Sequence, residues 1–147
     1  MMRLRPYSRR VFYYETDKMG IVHHSNYIRW FEEARVDVIE QAGLPFETVE
    51  AEGLMVPVLS ASCEYRLPFR FGDVFTVKAY IPDFGKIRFS VIYEVYDEEG
   101  NLRANGETTH CFVDMEMRPV RIKNSHQRVY DIYDELSKAG RALYDPE

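Results

Sequence analysis

The feature that most constrains the fold is an almost uninterrupted series of strand-like segments after residue 54. These segments are rich in β-branched and aromatic residues, and they span residues 54–67, 74–81, 86–97, 102–115 and 119–122. In the third segment, apolar residues alternate with polar ones, which is the period of a strand with one buried face. Its apolar positions are Ile87, Phe89, Val91, Tyr93 and Val95. Short turn-like sequences separate the segments, so we expect antiparallel neighbours.

The sequence outside this region predicts one more strand and a C-terminal helix. Residues 9–16 are β-branched and aromatic, and they predict a first strand that a turn at Gly20 follows. The tail from Ser125 has the period of an amphipathic helix, and we expect a peripheral cover without a chemical role. Its apolar face carries Val129, Ile132, Tyr133, Leu136 and Leu143.

A long helix is predicted over about residues 26–42, because apolar residues there recur at steps of three and four. Its apolar face is wide and aromatic, and it carries Tyr27, Trp30, Phe31, Ala34, Val38 and Ala42. Ser25 or Asn26 is expected to cap the first turn by accepting a backbone N–H, and Gly43 marks the end. A short second helix is expected over residues 46–53.

The order of these elements predicts an α+β fold, in which one long helix lies on a strongly curved antiparallel sheet. The 147 residues fit one domain, with a core over about residues 9–122 and a helical tail over about 123–147. A sheet curved round a single helix leaves an edge strand open, and open edges favour pairing with a second copy. We therefore expect a homo-oligomer, either a dimer or a dimer of dimers.

Charge and composition argue against several classes of function. The net charge of −5 disfavours binding to the phosphates of nucleic acids. The basic start of the chain lacks the apolar segment of a signal peptide, and no apolar run approaches the ~20 residues of a membrane-spanning helix. Cys63 and Cys111 form no CxxC pair, so buried free thiols are expected. The simplest expectation is a cytoplasmic protein without a membrane span or a nucleic-acid partner.

Residues 13–35, YYETDKMGIVHHSNYIRWFEEAR, resemble the signature of hotdog-fold acyl-CoA thioesterases, in their 4-hydroxybenzoyl-CoA thioesterase and YbgC-like branch. The matching residues are Tyr13, Tyr14, Thr16, Asp17, Gly20, His24, Asn26 and Tyr27, followed by Glu32, Ala34 and Arg35. Residues 66–73 resemble a turn of that family, and 118–122 resemble its closing strand. The resemblance implies a five-stranded antiparallel sheet wrapped round the long helix, paired subunits that often form tetramers, active sites at the subunit interface, and a catalytic carboxylate at Asp17.

Thioester hydrolysis needs an attacking group and a place for negative charge on the carbonyl oxygen. A carboxylate such as Asp17 can attack directly to give a mixed anhydride, or it can activate a water as general base. Unpaired N–H groups at a helix N-terminus can form an oxyanion hole. We predict that the His24 N–H is the main donor and that the His24 side chain bonds Asp17 or the substrate. The other expected substrate contacts are Tyr14, Gly20, Val22, His23, Asn26 and Tyr27.

These residues also have ordinary structural interpretations. An Asp before a turn is commonly a solvated turn residue, and Tyr27 is a core candidate as well as a substrate contact. His23 and His24 point apart in extended backbone and have no spaced set of companion ligands, so neither a metal site nor a cofactor is expected. The phosphates of CoA attract basic side chains. The candidates near strand ends are Arg66, Arg70, Lys86, Arg88, Arg118, Arg121 and Lys123.

The leading function is hydrolysis of acyl-CoA to free CoA and a carboxylic acid. Two alternatives keep the chemistry and change the substrate, either to acyl groups on a carrier protein or to one specialised aromatic acyl-CoA. A further alternative is non-catalytic binding of acyl ligands, which does not need a carboxylate at position 17. A hotdog dehydratase more often carries a His or a different carboxylate arrangement on the helix, and that pattern is absent. The acyl group itself is not encoded in a motif, because it depends on pocket depth.

Overall fold

The computed structural model describes residues 2–85 and 87–145 and contains one antiparallel sheet of five strands, in the order β1-β3-β4-β5-β2. The strands are β1 (Tyr7–Arg10), β2 (Val58–Tyr65), β3 (Val74–Phe84), β4 (Arg88–Tyr96) and β5 (Leu102–Cys111). The helices are α1 (Ser25–Gln41), α2 (Phe46–Ala51), α3 (Ile122–Ser125) and α4 (Gln127–Ala139), with 3-10 turns at Tyr13–Glu15 and Gly140–Tyr144.

Helix α1 packs its aromatic face on one face of the sheet, as its apolar period predicts. Trp30 stacks on Phe75 of β3 with ring centroids 3.8 Å apart, and Phe31 stacks on Tyr93 of β4 at 4.4 Å. Gly106 of β5 permits this close approach, because a Cβ there would overlap the Phe31 ring. One long helix wrapped by five antiparallel strands is the hotdog arrangement, so the predicted α+β fold class is confirmed.

The predicted first strand is wrong in its bounds. Strand β1 ends at Arg10, and the chain then turns through Tyr13–Glu15. The cause is the carboxylate of Glu15, which accepts the N–H of Phe12 at 2.8 Å and bends the backbone away from an extended course. Alternation of aromatic residues in the sequence cannot show this, because the other partners of Glu15 lie on distant elements.

The short strand expected over residues 119–122 is also wrong. Only an isolated bridge between Val113 and Pro119 forms there, and Ile122 already begins α3. Pro119 has no N–H to donate to a ladder, which disfavours a longer pairing. The sheet still has five strands, because β1 and the four longer segments supply them.

The ends of α1 follow the sequence in part. Gly43 has a φ of 103° just beyond the helix, so the predicted C-terminal stop is confirmed. The predicted cap by Ser25 or Asn26 is wrong, because the N-cap residue is His24 and no side chain caps it. The Ser25 hydroxyl lies 2.8 Å from Nδ1 of His23 instead. The first turn of α1 therefore keeps backbone donors that no side chain satisfies.

Helix α4 contributes to the hydrophobic core rather than only covering it. The side chains of Val129, Tyr133 and Leu136 are buried, and Tyr133 packs edge-on against Phe112 with centroids 5.1 Å apart. Strand β2 contrasts with this, because nearly all of its residues are exposed at the free edge of the sheet. No helix among the described residues is long and apolar enough to cross a lipid bilayer.

Candidate functional site

A groove of about 320 Å³ opens where the start of α1 approaches the end of β2. Its walls come from the loop 17–24, from Tyr27 of α1 and from residues 65–68. Asp17, Val22, His24 and Tyr27 line it, so these four predicted site residues come together. The groove mixes a carboxylate, an imidazole and a basic side chain with apolar walls, which is the usual composition of a small-molecule site.

Asp17 forms a tight turn at one wall of this groove. Its Oδ1 accepts the N–H of Met19 at 2.8 Å, and its backbone carbonyl accepts the N–H of Gly20 at 2.9 Å. Gly20 has a φ of 79°, a conformation that favours glycine. Oδ2 of Asp17 has no hydrogen-bond partner within residues 2–85 and 87–145. The turn thus fixes one carboxylate oxygen and leaves the other for a ligand or a water.

The backbone of the loop leading into α1 provides one unused donor. The N–H groups of Val22, His23 and Asn26 bind the carbonyls of Phe69, Glu15 and His23, and Ser25 N binds Nδ1 of His23. The N–H of His24 has no acceptor in the described part of the chain. An unpaired N–H at a helix N-terminus carries partial positive charge and suits a developing oxyanion.

Glu15 is a buried carboxylate that the sequence analysis missed. Its side chain is 3% exposed and accepts hydrogen bonds from Arg9 at 2.8 Å and from Nε1 of Trp30 at 2.9 Å. Burial acts to raise the pKa of Glu15, but the bonds from Arg9, the Phe12 N–H and Trp30 outweigh it and hold that pKa below its ordinary value. Glu15 therefore anchors the groove loop to β1 and α1 as an ion.

Tyr65 is a second residue that the sequence analysis missed. It lies on β2, donates its hydroxyl to the backbone carbonyl of His24 at 3.2 Å, and packs edge-on against Tyr27 at 5.0 Å. Burial raises the pKa of Tyr27 to about 12, so its hydroxyl stays protonated. No pattern within the strand reveals the contact, because it depends on how the end of β2 lies against the start of α1.

A thioesterase-like model matches residues 11–139, which covers most of the described chain. The chain belongs to the thioesterase-like superfamily. Relatives include a putative esterase of Aquifex aeolicus, 43% identical over 73% of this chain and 83% of the relative. The putative acyl-CoA thioesterase YneP of Bacillus subtilis is 30% identical over 87% and 94%. A solved DHNA-CoA thioesterase of Staphylococcus aureus superposes with a TM-score of 0.86 at 26% identity, covering 92% and 91%.

The other predicted substrate contacts of this thioesterase-like chain lie outside the groove lining. The ring of Tyr14 is 75% exposed, and His23 packs its ring against that of His24 at 4.1 Å. Gly20 shapes the turn of Asp17. Asn26 is buried and donates to the carbonyl of Glu15 at 2.9 Å, which is a structural bond rather than a free polar group. No hydrogen bond joins the His24 side chain to Asp17 among the described residues.

The thioesterase-like core also contains a buried polar chain beneath α1. The hydroxyl of Tyr93 lies 2.7 Å from that of Thr108, which lies 2.7 Å from Nε2 of His110. Nδ1 of His110 has no partner among the described residues. Burial and the charge of Arg35 lower the pKa of His110 to about 4, so its ring is neutral near neutral pH.

The basic residues proposed for CoA phosphates are spread over the surface of the thioesterase-like fold. Arg66 lines the groove, and Nη1 of Arg70 lies 3.4 Å from the carbonyl of Gly20 beside it. Arg118 is in an ion pair with Asp114 at 3.1 Å. Lys86 lies outside the described residues. Within the described ranges, no three His, Cys, Asp or Glu side chains are grouped so that they could hold a metal ion.

Proposed function

We propose that this protein hydrolyses acyl-CoA thioesters in the groove between α1 and β2. The observation that carries the proposal is the pairing of Asp17 with the unused N–H of His24 at one groove, in a chain of the thioesterase-like superfamily. Asp17 is the nucleophile or the general base, and the His24 N–H is the oxyanion donor.

The chemistry needs little else from the protein. When a carboxylate or an activated water adds to the thioester carbonyl, negative charge develops on the carbonyl oxygen, and a fixed N–H stabilises it. The carbon–sulfur bond then breaks, and CoA leaves as a thiolate that takes a proton from solvent. Because a thiolate is a good leaving group, a strong general acid is not required. Val22 and Tyr27 offer apolar surface for the acyl group next to Asp17.

A second copy of the chain completes the proposed enzyme. Strand β2 lies at the sheet edge with Leu59 and Tyr65 about half exposed, and exposed apolar edges favour strand pairing. Pairing of two β2 strands would bring the partner to the groove, because Tyr65 belongs to both the strand and the groove wall. We therefore propose an active dimer, with a dimer of dimers as the next assembly. A cytoplasmic location stays a prediction.

A specialised aromatic acyl-CoA is the second candidate substrate. The solved Staphylococcus aureus relative is named for DHNA-CoA, and the groove of this chain is walled by the rings of Tyr27 and Tyr65. Aromatic walls stabilise a stacked aromatic acyl group more than a flexible chain of equal area. Acyl groups on a carrier protein are the remaining substrate class.

A hydrolysis screen tests the proposal. The purified protein is offered short, medium, long and aromatic acyl-CoAs with excess chelator, and thiol release is followed. We expect turnover of at least one class, with chelation having no effect because Asp17 supplies the attacking group. A folded protein that binds acyl-CoA and releases no thiol would instead be a binding module. Loss of turnover on chelation, restored by a divalent ion, would replace the carboxylate mechanism with a metal one.

A further inference from the structure

Four exposed aromatic rings lie together beside the groove, and the proposed chemistry does not use them. This aromatic patch consists of Phe12, Tyr13, Tyr14 and Phe71. The ring of Tyr13 is 76% exposed and lies edge-on to Phe71 with centroids 5.6 Å apart, while Phe12 and Tyr14 are 5.5 Å apart. Contiguous exposed aromatic rings are uncommon on soluble proteins and mark binding surfaces.

Two unpaired arginines border the aromatic patch. Arg10 approaches the backbone of Gly72, next to Phe71, and Arg70 precedes Phe71 in the chain. Both are exposed, and neither forms an ion pair in the described part of the chain. The nearby Asp73 carboxylate accepts the backbone N–H of Arg70 at 2.8 Å. The patch is thus locally basic, although the chain carries a net charge of −5.

The aromatic patch continues directly from the groove. Nη1 of Arg70 lies 3.4 Å from the carbonyl of Gly20, and Gly20 closes the turn that holds Asp17. Met19 of the same turn lines the groove and is largely exposed. The rings follow β1, which is at the opposite edge of the sheet from β2. Pairing through β2 therefore does not require this surface.

We infer that the aromatic patch binds the adenosine 3′,5′-bisphosphate end of CoA, while the thioester lies in the groove. Rings with free faces stack on a purine, and arginines bind phosphate through charge-assisted hydrogen bonds. The long pantetheine arm between them fits the continuity of groove and patch. This assignment rests on the proposed function. An apolar partner surface would match the rings but would leave Arg10 and Arg70 without anions.

Binding of the free nucleotide tests the assignment without any turnover. Adenosine 3′,5′-bisphosphate is titrated by calorimetry into the wild type and into Tyr13→Ala, Phe71→Ala and Arg70→Gln. Each variant should raise Kd by roughly 5- to 100-fold, the usual effect of losing one stacking or phosphate contact. Matched controls are Phe46→Ala, an exposed ring on α2, and Arg121→Gln, an exposed arginine beside α3. Equal effects of control and patch variants would overturn the assignment.

Kinetics separate this assignment from the proposed function. Hydrolysis of one acyl group is compared on CoA and on N-acetylcysteamine, which lacks the nucleotide. In the three patch variants, the ratio of kcat/KM for the two thioesters should fall by roughly 5- to 100-fold. Nucleotide binding without hydrolysis of either thioester would end the proposed function and leave the patch intact. Hydrolysis of both with an unchanged ratio, or a smaller sedimenting mass in the variants, would show that the patch is not a nucleotide site.

Discussion

The side-chain amide of Asn26 donates a 2.9 Å hydrogen bond to the backbone carbonyl of Glu15. The N–H of His23 binds the same carbonyl at 2.8 Å. These two bonds close the loop that starts at Asp17 and returns to the first turn of α1. The distance between the carboxylate and the free N–H of His24 is therefore set by a contact to Glu15, which lies outside the groove lining.

Replacement of Asn26 should loosen this closure. Asn26→Ala removes a buried donor, so we expect the free energy of unfolding to fall by about 1–2 kcal/mol. Misplacement of the His24 N–H should lower kcat by roughly 10- to 100-fold, because reactions that depend on proximity are sensitive to small displacements. Steady-state kinetics below the melting range give the kcat and KM effects separately.

The control for this variant is Ser25→Ala, which removes an exposed hydroxyl from the same helix turn. It should leave both the melting temperature and kcat nearly unchanged. If Asn26→Ala melts lower but keeps the wild-type kcat, Asn26 stabilises the fold and does not position the site.

Removal of the buried charge of Glu15 should be far more costly than removal of its neighbour. Glu15→Ala leaves Arg9 without its buried partner and should cost about 3–5 kcal/mol. Glu33 also pairs with Arg9 at 2.8 Å but is more exposed, so Glu33→Ala should cost less than about 1 kcal/mol. Urea unfolding of the two variants makes the comparison, and equal midpoints would contradict the anchoring role.

The same residue predicts a pH dependence. Because the folded pKa of Glu15 lies below its ordinary value, its stabilising effect is complete above the unfolded pKa near 4.5. That contribution is lost as the pH falls through the folded value. The difference in unfolding free energy between wild type and Glu15→Gln should therefore shrink in acid.

The fold was predictable because burial has a period. The three- and four-residue steps of α1 and the alternation in β4 are both encoded locally, and the structure follows them. The bend after β1 was not predictable, because Glu15 is satisfied by Arg9 and Trp30, which are separated from it in sequence. Tyr65 was missed for a related reason, since no local pattern specifies where the end of β2 lies.

The buried ring of His110 should make the protein sensitive to mild acid. Its folded pKa of about 4 is below the ordinary 6.5, so the unfolded state gains a proton first as the pH falls. Stability should decline from pH 6.5 toward about 4, by roughly 3 kcal/mol in total from this group. His110→Leu should remove that part of the slope in urea unfolding series, whereas His126→Leu, on the linker between α3 and α4, should retain it. An unchanged slope in His110→Leu would assign the acid sensitivity to other groups.

A charge on the inner side of β2 should separate the proposed dimer. Ala61 is exposed on this strand and pairs with Thr108 of β5, a residue buried on the helix side. In Ala61→Lys, pairing of two edges would bring like charges together and bury them, so sedimentation should shift toward the monomer of 17.4 kDa. Asn124→Lys, an equal charge on α3, is the control and should keep the wild-type mass. Full activity of a monomeric Ala61→Lys would refute a shared site.

Asp17 is tested by a substitution that keeps its turn. In Asp17→Asn the side-chain oxygen still accepts the N–H of Met19, so the melting temperature should change little. The charge and basicity are lost, and kcat should fall by roughly 10²–10⁴-fold if the carboxylate attacks or activates water. KM should move much less than kcat, because the amide fills the same space in the groove. Asp17→Glu should also be impaired, since its extra methylene shifts the carboxylate by about 1 Å.

The matched control is Asp114→Asn, because Asp114 accepts the N–H of Glu116 at 2.9 Å in a turn of the same kind. Asp114 is not part of the groove lining, so this variant should lose some stability with its Arg118 ion pair and keep the wild-type kcat. Steady-state hydrolysis of the best acyl-CoA and circular dichroism melts measure both effects. The contrast between two turn aspartates separates chemistry from local structure. A well-folded Asp17→Asn that turns over as fast as Asp114→Asn would make Asp17 a turn residue, and the attacking group would have to be sought elsewhere in the groove.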